Sequence, residues 1–131
     1  MVLVVGQPAA KGPAMAPSEV LGVHANADHA ALQGKVYAAL GDSISAGRYA
    51  TASDDTFPVL VAEKLGMSLD LVARSGARAG WGITQMSAVR AAQPALVTIE
   101  LGTNDVGFYT PPATFAAQYE TIVNAVSGTL T

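Results

Sequence analysis

From residue 36 onward the chain alternates between short apolar runs and longer amphipathic stretches. Val36-Tyr37-Ala38-Ala39-Leu40 is followed by Gly41-Asp42-Ser43, Leu69-Asp70-Leu71-Val72-Ala73 by Arg74-Ser75-Gly76, and Ala95-Leu96-Val97-Thr98-Ile99-Glu100-Leu101 by Gly102-Thr103-Asn104-Asp105. Runs this short and this continuously apolar read as buried strands of a parallel sheet. Between them the apolar residues recur at three-and-four spacing. Phe57, Leu60, Val61, Lys64 and Leu65 predict a helix with Pro58 in its first turn and Gly66 at its C-cap. Ile83, Met86, Val89 and Arg90 predict a second within Gly80–Gln93, stopped by Pro94. Thr110-Pro111-Pro112 opens a third by cap and proline, with Phe115, Tyr119, Ile122, Val123 and Val126 as its apolar stripe. Strand and helix alternate three times, which predicts a three-layer α/β/α, flavodoxin-like domain with right-handed crossovers. In such a sheet ligands bind beyond the carboxyl ends of the strands, where the three polar clusters gather.

Residues 1–34 lack either period. Met1 to Val5 is apolar, and Gly, Pro, Ala and polar residues then mix without order, so this segment reads as a poorly ordered leader ahead of a domain at 35–131. Val23-His24-Ala25 gives a lean toward an exported protein of bacterial type, without the basic n-region or the apolar length of a signal peptide. His24 and His29 fall here with Asp28 between them; they are read as solvated loop residues, not metal ligands.

Composition narrows the function. At 131 residues and 50% hydrophobic the chain suits one globular domain. With 13% charged residues and a net charge of −3, no basic surface is available for nucleic acid. The apolar runs are too short to span a membrane. With no cysteine, covalent chemistry falls to serine.

A serine hydroxyl needs a base to take its proton, and the oxyanion formed when it attacks an acyl carbon needs preorganised donors. Ser43 stands at a strand end, followed by a small-residue helix start that Asp42 or Ser43 would cap. The backbone N–H groups of Ser43 and Gly76 and the side-chain amide of Asn104 are the candidate oxyanion donors. Asp42 and Asp105 are read as fixing loop geometry, not as a catalytic acid. Taken alone, Gly41-Asp42-Ser43 reads first as a capped turn, and the second strand-end cluster at Gly102-Thr103-Asn104-Asp105 changes that reading. Trp81, just after the Gly76 loop, reads as packing at a helix start or as pocket lining.

Gly41-Asp42-Ser43 with Gly47, and Gly102-Thr103-Asn104-Asp105 in the second strong block, resemble the SGNH hydrolases, also called the GDSL esterases and lipases. Gly76 supplies the family's middle glycine. The resemblance spans Val36 to the C-terminus and implies a local strand order of second, first, third. It also implies an ester or acylated small molecule as substrate, with no metal and no organic cofactor. The family's Asp-x-x-His block is missing, because no histidine follows His29. The chain is therefore read as the N-terminal part of such a domain, inactive alone, with its last strand left as an exposed apolar edge.

Two rival readings remain. One is a non-catalytic module that binds acyl or carbohydrate ligands on the same fold. The other is a nucleotide or phosphate binder using Arg74 and Gly76-Ala77-Arg78-Ala79-Gly80, although no Walker or G-x-G-x-x-G pattern is present. Oligomeric state is not legible.

Overall fold

The computed structural model describes residues 2–6 and 29–130. The parallel core consists of β2 (Val36–Gly41), β3 (Ser68–Ala73) and β4 (Leu96–Glu100), with β2 paired in parallel to both neighbours. The order β3-β2-β4 is the second, first, third order expected, and it places the strand leading to Ser43 in the middle. Around the sheet lie the helices α1 (His29–Leu32), α2 (Phe57–Leu65), α3 (Ala79–Thr84), α4 (Met86–Ala91), α5 (Thr103–Gly107) and α6 (Pro112–Ser127). This is an α/β flavodoxin-like arrangement.

Both faces of β2 and β4 are covered, which is why these strands are apolar without alternation. Ala38, Leu40, Val97, Ile99 and Leu101 pack with Met86, Val89, Tyr119, Ile122 and Val126 of α4 and α6. On the opposite face, Tyr37, Ala39 and Leu96 pack with Ala62 of α2 and with Met67. Here Tyr37 and Thr98 join their hydroxyls across the two strands at 2.8 Å.

The first of the three expected helices is α2, close to its expected bounds, and Gly66 caps it with φ 63°. The second departs from expectation. In place of one helix over Gly80–Gln93 the chain forms α3 and α4, broken at Gln85. The Thr84 hydroxyl donates to the Trp81 carbonyl at 2.6 Å and the Gln85 side chain donates to Thr84 Oγ1 at 2.8 Å, side-chain bonds that compete with the backbone ladder. Arg90, counted on the apolar stripe, is exposed. For α6 the N-cap is Pro111, without a side-chain cap, so Thr110 does not cap as expected.

The N-terminal stretch also departs from a structureless leader. Val2–Gly6 forms strand β1, antiparallel to β4 with Val2 opposite Glu100 and Gly6 opposite Leu96. The edge of β4 expected to be bare is therefore paired, which satisfies its outward N–H and C=O groups. The remaining leader, with His24 and the Val23–Ala25 site, lies outside the described residues; His29 opens α1.

Candidate active site

The carboxyl ends of β2, β3 and β4 deliver three loops to one edge of the sheet. After β2 the chain does not start an α-helix as expected; it turns through Ser43–Tyr49. The turn is held by Ala46 N–H to Asp42 C=O at 3.0 Å and Arg48 N–H to Ser43 C=O at 2.7 Å. Asp42 therefore caps no helix; its Oδ1 accepts the Ile44 N–H at 2.8 Å and closes the turn locally. Ser43 is half-buried at this turn. Neither its hydroxyl nor its backbone N–H has a hydrogen-bond partner among the described residues.

The loop after β3 holds Gly76 at φ 80°, a left-handed conformation that an L side chain adopts at a cost of about 1–2 kcal/mol. The space where its Cβ would stand is empty, so conformation and not crowding calls for glycine. Its N–H is likewise without a partner among the described residues. From the third loop, Asn104 Nδ2 donates to Asp42 Oδ2 at 3.2 Å and to the Ala77 carbonyl at 3.0 Å. One side chain thus ties the Asp42–Ser43 turn to the Gly76–Ala77 loop. In this conformation both of its N–H groups are in use. Asp105 accepts the Ala79 N–H on Oδ2 at 3.0 Å. Gly102 and Thr103 lead from β4 into α5.

Beneath the turn lies a residue that the sequence reading passed over. Glu100 is 4% exposed and stands opposite Gly41 in the β2–β4 register. Its Oε2 accepts the Ser45 hydroxyl at 2.9 Å and the Asp42 N–H at 3.3 Å. A Cβ on Gly41 would collide with the Ser45 side chain and come within 3.1 Å of Glu100 Oε2, so Gly41 makes room for this buried pair. Burial pushes the Glu100 carboxyl above the ordinary carboxylate range; the Ser45 bond opposes this and the negative charge of Asp42 adds to it. Burial, and after it the charge of Glu100 itself, pushes the Tyr119 hydroxyl up to about 12. The signal for Glu100 was available as a single acid inside an otherwise apolar strand.

The sheet, its crossovers and the serine, glycine and asparagine loops at one edge define an α/β fold of the SGNH hydrolase type. A model of the GDSL-like lipase/acylhydrolase family matches residues 39–129, and the chain belongs to that family. Among solved structures it is similar to AlinE4, an SGNH-hydrolase family esterase, at 24% identity and TM-score 0.65, over 73% of this chain and 55% of that one. It is also similar to TesA, at 27% identity and TM-score 0.62, over 72% of this chain and 55% of that one. The chain thus spans about 55% of the length of these structures. No match is found among curated proteins.

Proposed function

We propose that this chain carries the nucleophile and oxyanion hole of a serine esterase acting on a small acylated substrate. The observation that carries the proposal is the junction of three loops through Asn104, beside a Ser43 hydroxyl, a Ser43 N–H and a Gly76 N–H that have no partner among the described residues. In the reaction, Ser43 Oγ attacks the acyl carbon and gives its proton to a base. The two backbone N–H groups and the Asn104 amide receive the developing oxyanion. Collapse breaks the bond to the alcohol, which leaves with the proton, and water then releases the acid from the Ser43 acyl-enzyme. Asn104 takes part by exchanging one of its two present hydrogen bonds for the oxyanion, a contact that exists only as negative charge develops.

The described residues show no base beside Ser43. No side chain among the described residues is bonded to the Ser43 hydroxyl, and the sequence has no histidine after His29. Acylation by this chain on its own is therefore expected to be slow, with Ser43 held ready for a base supplied from elsewhere.

Labelling with a fluorophosphonate probe tests the reading. Three proteins are compared: the 131-residue chain, its Ser43→Ala variant, and the chain carried through any coding sequence beyond Thr131. The expected result is labelling that depends on Ser43 and is much faster in the extended protein. Fast Ser43-dependent labelling of the short chain would show that it holds a base of its own, with His24 and His29 next to substitute. A folded extended protein that does not label would overturn the esterase reading in favour of a non-catalytic acyl- or carbohydrate-binding module.

A further inference from the structure

Beside the Gly76 loop lies a cavity of about 530 Å³, a size that suits a small-molecule ligand. Ser43 is not part of its wall; the cavity meets the candidate site at Gly76, which lines it. Arg74 and Arg78, two positions to either side of Gly76, both line it. The Arg74 guanidinium lies 4.9 Å over the Trp81 ring, and that of Arg78 lies 5.3 Å over the Phe108 ring. A guanidinium held over a ring by cation–π attraction still has N–H donors to offer, in the fork that matches a carboxylate or phosphate. Neither side chain is paired with a carboxylate among the described residues.

The acidic group on the cavity wall is Asp105, which is 2% exposed and holds the Ala79 N–H at 3.0 Å. Its second oxygen, Oδ1, is buried without a partner, as is Thr110 Oγ1 on the same wall. The two arginines are exposed where Asp105 is buried, so positive charge sits at the mouth and a lone acceptor sits deeper. An anion is favoured at the mouth and repelled from the floor.

We propose that this cavity binds a compact oxyanion, a carboxylate or phosphoryl group, through Arg74 and Arg78, and that the ester taken by the adjoining site carries such a group. The second half rests on the esterase reading; the first stands without it. The arrangement gives the substrate a charged handle next to Gly76, so that binding energy from a non-reacting group orients the acyl carbon toward Ser43.

Trp81 is the chain's single tryptophan and lies on the cavity wall under Arg74, so its emission reports occupancy directly. The 131-residue chain is titrated at constant ionic strength with inorganic phosphate, with succinate, and with succinamide as the uncharged counterpart of succinate. Calorimetry follows the same titrations. A saturable response to phosphate or succinate and none to succinamide is expected, and the anion that responds tells phosphoryl from carboxylate recognition. Arg78→Ala, which does not touch the Trp81 ring, should weaken binding at least about tenfold. Arg74→Lys, which keeps the charge and loses the planar fork, should also weaken it. Circular dichroism confirms that each variant is folded. A linear response shared by chloride, equal binding of succinamide, or undiminished binding by Arg78→Ala would overturn the proposal. Fluorophosphonate labelling of Ser43 in the extended protein separates the two readings. Intact labelling without anion binding removes the subsite alone, and anion binding without labelling removes the substrate role.

Discussion

Replacing Glu100 by alanine should loosen the turn that presents Ser43. The side chain stands under that turn with two donors on one oxygen, the Ser45 hydroxyl at 2.9 Å and the Asp42 N–H at 3.3 Å. Ser45 and Asp42 are both fully buried, so water does not replace the lost acceptor. Each buried donor left without a partner costs about 1–3 kcal/mol, which gives about 2–6 kcal/mol for the two. Removing a desolvated carboxyl that faces the charge of Asp42 acts in the opposite direction and offsets part of this. The net expectation is a loss of about 2–4 kcal/mol, read as a lower urea midpoint with an unchanged slope. In a domain of this size the same loss lowers Tm by about 8 °C or more. Glu100→Gln keeps an acceptor oxygen for Ser45 and should lose about 1 kcal/mol or less. Two results would refute the reasoning: a Glu100→Ala variant within about 0.5 kcal/mol of the parent, or a Gln variant as damaged as the Ala one.

The raised Glu100 carboxyl also sets a pH dependence. The folded chain holds this proton more tightly than the unfolded one, so stability is greatest below the ordinary carboxylate pKa and falls as pH rises from about 4 through the raised folded value. Urea midpoints across that window should slope downward in the parent and less so in Glu100→Gln; parallel curves would remove Glu100 as the cause. Gly82→Ala brings a Cβ to 2.8 Å from both Ile122 Cδ1 and Leu101 Cδ1. The overpacking, about 1–3 kcal/mol, should outweigh the gain of about 1 kcal/mol in helix propensity, and a variant more stable than the parent in urea would show that the core yields there.

The sheet was legible because its strands are buried on both faces and so stand out as unbroken apolar runs. Their order came from the family resemblance, and the β2 pairing to both β3 and β4 agrees with it. What escaped the sequence was local. Ile83, Met86 and Val89 keep helical spacing across Gln85, so periodicity alone joins α3 to α4; the break depends on how Thr84 and Gln85 use their side chains. Asp42 offered a cap that normally precedes a helix, but its Oδ1 holds the Ile44 N–H within a turn and no helix follows. Strand β1 was hidden for a different reason. Met1 to Val5 is apolar but isolated in a segment without period, and its partner is the far edge of β4. Pairing with a distant edge leaves no trace in local spacing.

The candidate site was legible as three strand ends, and less so as a network. Asp42 connects them. Its N–H is held by Glu100 and its Oδ2 by Asn104, both reaching back from the end of β4 and the start of α5, while its Oδ1 holds the Ile44 N–H. The Gly-Asp-Ser turn is therefore fixed by the third loop through two separate bonds, one from the strand and one from the helix that follows. Shifting β4 by one residue against β2 would move Glu100 away from Gly41 and turn its side chain to the other face of the sheet. The register of β4 against β2 thus also sets the position of the Ser43 turn. A reading that treats Asp42 as a simple cap finds the serine but misses that its placement is decided across the sheet, by an acid buried in the neighbouring strand.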